Sequence, residues 1–331
     1  MPPRLARLLA VLAAVALVAG ALVLRSALAG DDGGSDDTEG GGGSDAPVRL
    51  LCDADLGDAA CEALGALDGV GSVEVATADE ALAEMAEVTA PYDAWATLDP
   101  WPQILDVARD EDQLPPIADE GDPVPLASSA LAVLSADPML CGEEQLAGWQ
   151  CVAGSAADGL ARVGVPTLAS ASGPLVLGAA AAGLVESTDV GIDDIDGTDV
   201  GTLLDDLLDS ADTGTLAEEA TAIVTQPGRY DALVTIEGLA VDAAGTAGGR
   251  SRGLQVLPIS APASDPTATF GVVLAPLGPD GPGALDRLRG QVTGQTVTDG
   301  LAEAGWSGDA ARTTGLPAPD LLYRLDEEFT R

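Results

Sequence analysis

The sequence contains no histidine and no lysine. All 14 basic residues are arginine, against 54 aspartates and glutamates, for a formal net charge of −40 over 331 residues. Without histidine there is no Ser-His-Asp or Cys-His pair, no HExxH zinc motif and no imidazole switch near neutral pH. Without lysine there is no Schiff-base nucleophile and no P-loop lysine. Nucleic acid and anionic lipid are unsuitable partners, because neutralising a phosphate backbone needs clustered Lys and Arg. Aromatic residues are scarce, at 3%. Apolar residues are not scarce: 47% of the chain is hydrophobic, enough to build a core and too much for a disordered chain.

The long apolar run is confined to the N-terminus. Arg4 and Arg7 precede Leu8–Leu24, a stretch of Leu, Val, Ala and one Gly. Arg25 and the small-x-small triplet Ala27-Leu28-Ala29 follow. This is a signal-peptide pattern of a length that also approaches the roughly 20 residues of a spanning helix. Residues 1–30 are therefore expected to be a cleaved signal peptide or an N-terminal membrane anchor. The arginine bias places their start in the cytoplasm and the rest of the chain, secreted or anchored, outside it. Residues 31–46 hold Gly40–Gly43 and six acids with no base, and read as an extended acidic linker. The three arginines before it and those six acids offset to −3, so residues 47–331 carry −37. Adaptation to high salt and a genome that spells arginine rather than lysine both account for that acidity, and the sequence does not separate them. In either case the charge reads as a solvated surface rather than a site.

The four cysteines fall in two close pairs, Cys52/Cys61 and Cys141/Cys151. An even count in an exported chain reads as disulfides, with local pairing the simplest of three connectivities. Zinc spacing is not present.

From residue 47 onward strand and helix patterns alternate. Strands are expected at 48–51, 72–76 and 92–97, each followed by a helix, which is the order of a parallel, helix-covered sheet. A long strand is expected at 127–134, a helix near 156–163 and a buried alanine-rich helix at 175–185. Helices at 202–208 and 216–222 follow, with strands at 223–225 and 232–236. Residues 245–252 read as a glycine-rich loop. Strands at 254–259 and 267–274 precede helices at 281–292 and 297–304, and the two-proline tail from Thr313 reads as a surface wrap.

Four stretches together are similar to a known family. They are Leu50-Leu51-Cys52-Asp53-Ala54-Asp55-Leu56-Gly57-Asp58-Ala59; Tyr92-Asp93-Ala94-Trp95-Ala96; Val165-Pro166-Thr167-Leu168-Ala169-Ser170-Ala171-Ser172-Gly173; and Ala284–Trp306. In their order and spacing the chain resembles the type 2 periplasmic or extracellular solute-binding proteins of ABC transporters, in particular the molybdate-binding-like branch. The resemblance implies an α/β, two-lobe periplasmic-binding-protein-like fold in which each lobe is a helix-covered mixed sheet. Lobe one would be about 47–125 and 238–331, and lobe two about 126–237, with 127–134 and 232–236 near the hinge. It implies capture of a small polar molecule in an interlobe cleft and delivery to a membrane transporter, with no enzyme activity and no cofactor. By the same analogy the ligand-binding candidates are Asp53, Asp55, Thr77, Asp99, Trp101, Ser128, Ser170, Ser172, Gly173 and Glu237.

The chain departs from the family pattern where an anion would bind. Oxyanion binders present hydroxyls and helix N-termini, whereas the loops here read Asp53-Ala54-Asp55 and Thr77-Ala78-Asp79. A cationic or neutral polar ligand fits these carboxylates better. The alternative is a degenerate solute-binding fold acting as an extracellular protein-interaction or sensor module. Plainer readings stand beside each candidate: Asp53, Asp55 and Asp58 as helix caps, Trp95 as core, and Ser170 and Ser172 as caps of the next helix. The acidic loop Gly191–Gly201 fails the EF-hand template, with Ile192 at the first ligand position and Leu203 at the twelfth. A carboxylate-pair hydrolase has no support beyond the abundance of acids.

Overall fold

β1 (Val48–Asp53) is buried at every position except Arg49, and so takes a central place. β2 (Val70–Ala76) and β3 (Ala94–Leu98) flank it, both parallel. The crossovers are α1 (Asp58–Gly65) and α2 (Ala78–Met85). Thr77 caps α2 through a reciprocal box with Glu80, which satisfies amides that the first helical turn leaves unpaired. After β3 comes α3 (Trp101–Glu111), entered through a cis Asp99–Pro100 bond. This computed structural model describes residues 46–87, 89–118, 121–137, 140–141, 148–209, 214–259 and 268–330. The expected signal or anchor, and the linker up to residue 45, lie outside the described residues. Among the described residues no helix is long and apolar enough to cross a membrane.

β4 (Val124–Ser135) organises the rest. Its first part, up to Ala130, pairs antiparallel with β8 (Thr269–Pro276), which in turn pairs antiparallel with β3. The first sheet is therefore mixed, in the order β2-β1-β3-β8-β4. From Leu131 onward β4 pairs with β6 (Ala232–Ile236) on one edge and β7 (Gln255–Pro258) on the other. β5 (Val163–Gly164) extends β6 in parallel. One long strand thus serves both sheets, and the two groups of elements around them form the two lobes.

Among the described residues there are twelve α-helices. α4 (Trp149–Ala157), α5 (Ser172–Val185) and α6 (Asp199–Leu208) pack together in the second lobe. α5 is buried from Ser172 to Leu184, consistent with a helix apolar on every side. On the other face of the second sheet lie α7 (Leu216–Thr225), α8 (Glu237–Gly245) and α9 (Ala247–Arg252). Ile223, Ala240, Ala243 and Leu254 join Leu134 and Leu233 there in a separate apolar cluster. α10 (Gly281–Leu288) covers β8, and α11 (Gln295–Glu303) covers α1. α12 (Pro319–Thr330) lies across α3 and α5, touching both lobes. Cys52–Cys61 and Cys141–Cys151 are bonded as the spacing predicts, with Cα atoms 5.8 and 5.6 Å apart.

Several local expectations differ from the structure. Residues 223–225 continue α7 instead of forming a strand, because Ile223 is needed in the cluster under that helix. The expected loop at 245–252 is helical. Thr246 caps α9 by accepting from the amide of Gly249, and a Cβ at Gly249 would come within 2.1 Å of the Ala243 carbonyl, so glycine permits the sharp helix-to-helix turn. The helix expected near 156–163 starts at Trp149 and ends at Ala157, placing Cys151 on it. The tail carries α12, whose Leu321, Leu322 and Leu325 are buried. Pro319 is its first residue, where a missing amide costs no helical bond. α8 and α9 pack on β4, β6, β7 and α7, and so with the second sheet.

Candidate functional site

β1 ends by turning Asp53 and Asp55 away from solvent; they are 1% and 5% exposed. Asp53 caps a short 3-10 turn (Ala54–Leu56), accepting from the amide of Asp55 at 3.0 Å and from the Thr97 hydroxyl at 3.1 Å. The Cys52–Cys61 disulfide closes the chain around this turn.

The Asp55 side chain leaves its own lobe. One oxygen accepts from the amide of Ser172 at 2.8 Å, and the other from the amide of Leu216 at 3.3 Å. These are the first residues of α5 and α7. Close by, the Ser170 hydroxyl donates to the Thr167 carbonyl at 2.8 Å and lies 3.2 Å from the Ser172 hydroxyl. Two helix N-termini therefore converge on one carboxylate, the group that their unpaired amides and dipoles favour. Two further bonds cross at the same place: the Trp101 indole donates to the Ala171 carbonyl at 2.7 Å, and the Asp79 amide to the Ala169 carbonyl at 3.4 Å.

Next to Asp55 lies a cavity of about 30 Å³. Asp53, Asp55 and Thr77 line it from the first lobe, and Thr167, Ser170 and Thr215 from the second. Burial raises the carboxyl pKa of both aspartates, and Asp53, with Asp55 adding repulsion, is pushed up to about 8. Around Asp55 the donors work against that rise. Two carboxyls buried together resist ionising both at once. The two helix amides favour the ionised form of Asp55.

The candidates separate clearly. Asp53, Asp55, Thr77 and Ser170 line the cavity. Ser172 and Gly173 stand behind them, Ser172 through its amide and Gly173 by allowing the turn: a Cβ there would lie 2.0 Å from the Thr167 carbonyl. The other four candidates do not line the cavity. Asp99 accepts from the Thr313 amide at 2.9 Å and pairs with Arg312 at 3.5 Å, anchoring the tail. Trp101 is fully buried, edge-on to Trp95 with ring centres 6.4 Å apart, and offers no face to a ligand. The Ser128 hydroxyl donates to the Asp309 carbonyl at 2.7 Å. Glu237 is exposed at the start of α8. Thr167 and Thr215 were not anticipated from the sequence. Thr215 carried a signal, since Thr215-x-x-Glu218 is a capping box, and both its bonds are formed. Among the described residues the one deeply buried arginine, Arg109, is spent on structure: it donates to the carbonyls of Met85, Glu87 and Pro115. No group of three or more potential metal ligands occurs among the described residues.

Comparison with known structures places the fold. No protein-family model matches the chain, and no curated protein does. Solved structures do. The ferric binding protein of Campylobacter jejuni superimposes with a TM-score of 0.57 at 10% identity, over 85% of this chain and 97% of that one. The apo ferric ion-binding protein A of Pasteurella haemolytica gives 0.56 at 11% identity, over 86% and 96%. The spermidine/putrescine ABC transporter substrate-binding protein of Streptococcus pneumoniae gives 0.50 at 9% identity, over 85% of each. The chain therefore has the two-lobe fold of type 2 periplasmic binding proteins. At these identities the likeness is one of fold.

Proposed function

We propose that this protein is an extracytoplasmic solute-binding protein, not an enzyme, that captures a small cationic or neutral polar molecule between its lobes and passes it to an ABC-type transporter. The observation that carries this reading is the convergence of Asp53, Asp55 and Thr77 of one lobe with Thr167, Ser170 and Thr215 of the other around one cavity. Capture by such a fold is a hinge equilibrium, biased by a ligand that touches both lobes. The fold neighbours include substrate-binding proteins of transporters, one of them named for the polyamines spermidine and putrescine. The two disulfides favour an oxidising compartment, and residues 1–30 would act as export signal or anchor, with 31–46 as tether. Closer kinship with the molybdate-binding-like branch rests on the four sequence stretches alone, and the carboxylates at the site argue against an oxyanion ligand. We place the lobe boundaries within β4 and after β7, so that α8 and α9 belong to the second lobe.

A second reading is favoured by one observation. The lobes are joined through Asp55, Asp79 and Trp101 by the chain itself, and the cavity between them is about 30 Å³. A fold closed in this way suits a protein-interaction or sensor module. Thermal unfolding of the full chain against polyamines, amino acids, sugars and inorganic ions separates the two. A ligand at a hundred times its Kd adds about 2.7 kcal/mol, so one solute class raising Tm supports capture. No shift with any class contradicts capture and supports the module.

A further inference from the structure

We infer that the second lobe carries a binding site for a primary alkylammonium outside the cleft, in a pocket along α7 whose floor holds the unpaired oxygen of Glu219. The pocket measures about 620 Å³, within the usual size of small-molecule sites. It begins at Gly214, which also borders the cleft cavity, and runs from there along α7 as far as Gln226 and Arg229. Its described lining belongs to the second lobe alone. The rim residues Ala217, Glu218 and Thr221 are exposed, whereas Glu219 is 2% exposed. Glu219 Oε1 accepts from the Arg229 guanidinium at 3.3 Å. Glu219 Oε2 is buried and accepts no hydrogen bond.

A carboxylate oxygen withdrawn from water without a donor is costly, and the donor that suits it best is a cation. The chain has no lysine to offer. Arg229, the one arginine in the described lining, faces Oε1, lies 3.5 Å from Gln226 Oε1 and covers the Tyr230 ring, whose centre is 5.2 Å away. A primary ammonium meets the need, with a compact charge and three N–H donors. Ala217 and Ala222 give it an apolar wall for a short alkyl stem. An anion is disfavoured, because two carboxylates in the lining face one guanidinium. A bare metal ion needs more oxygen ligands than this, and no group of three or more potential metal ligands occurs among the described residues. The inference goes beyond the proposed capture function and does not rest on it: the cleft lies between the lobes, and this pocket lies within one of them.

The test is isothermal titration of the full chain with n-butylammonium chloride, using tetramethylammonium chloride as a reference of equal charge with no N–H donor. The native chain should take up n-butylammonium saturably, and tetramethylammonium at least about tenfold more weakly. Glu219→Gln, which keeps the shape and removes the charge, should lose that preference. Hydrogen exchange on the native chain locates the bound ammonium: slower exchange over residues 218–226, with 53–55 and 167–172 unchanged, is expected. No saturable uptake, no preference over tetramethylammonium, or equal binding by a folded Glu219→Gln overturns the inference. Protection at 53–55 and 167–172 in place of 218–226 also overturns it, and would support capture in the cleft. If Glu219→Gln does not fold, the exchange map of the native chain decides alone.

Discussion

At the scale of single residues, the main question is why a chain with so many acids buries two of them side by side. Asp55 is accounted for by its donors: two helix-terminal amides, one to each oxygen, offset part of the loss of water. Asp53 accepts from the Asp55 amide and the Thr97 hydroxyl, and burial holds its pKa near 8. A carboxyl whose folded pKa lies above its unfolded value keeps its proton on folding, so its contribution is complete below about pH 4 and is lost as pH rises toward 8. The native chain is therefore expected to lose stability relative to Asp53→Asn across that window, by at most about 1.4 kcal/mol per pH unit. Denaturant unfolding of both proteins at several pH values checks this. Equal slopes would mean that Asp53 ionises normally. Asp93 behaves in the opposite sense. Burial alone would raise it, but Arg49 donates to it from the backbone at 2.8 Å and from the guanidinium at 2.7 Å, and holds it below the usual carboxylate range. Its contribution is present at neutral pH and is lost only as pH falls through that depressed value.

At the scale of elements, the fold rests on a few segments with uniform character. β3 and α5 are almost entirely apolar and buried, β1 is buried except at Arg49, and their positions could be read from the sequence to within a few residues. α9 could not, because Gly248-Gly249 reads as a loop unless the close approach to Ala243 is known. α12 could not either, because Pro317 and Pro319 look like punctuation when Pro319 in fact starts the helix. Leu322 of α12 is fully buried where the helix lies across α3 and α5. Leu322→Ala should cost roughly 2–5 kcal/mol, visible as a fall in Tm. A fall below about 1 kcal/mol, the range of a surface change, would show that α12 is not held there. The Cys52–Cys61 bridge closes a short loop around the Asp53–Asp55 turn. On the chain-entropy model, replacing both cysteines by serine should cost roughly 2–3 kcal/mol, read as a lower denaturation midpoint.

At the scale of the whole molecule, 54 acids face 14 arginines, and most carboxylates have no cation to pair with. Mutual repulsion then opposes the compact state and is screened by salt, over about 10 Å at 0.1 M and 3 Å at 1 M. Tm should rise steadily with sodium chloride; a flat or falling curve would mean that surface repulsion is not limiting. The candidate site was partly legible at this scale. Asp53, Asp55, Thr77 and Ser170 sit where strands end and helices begin, and the topology brings those points together. Asp99, Trp101, Ser128 and Glu237 shared the same local signature, but tertiary packing turned them to the tail, the core or solvent. That Asp55 would point at helices more than a hundred residues away is a property of the assembled lobes and of no local pattern. That contact joins the two lobes. Hydrogen exchange of the segments containing the Ser172 and Leu216 amides, in the native chain and in Asp55→Ala, tests it most directly. Both amides are expected to be protected in the native chain and to lose protection together in the variant. Unchanged protection in a folded Asp55→Ala would contradict it.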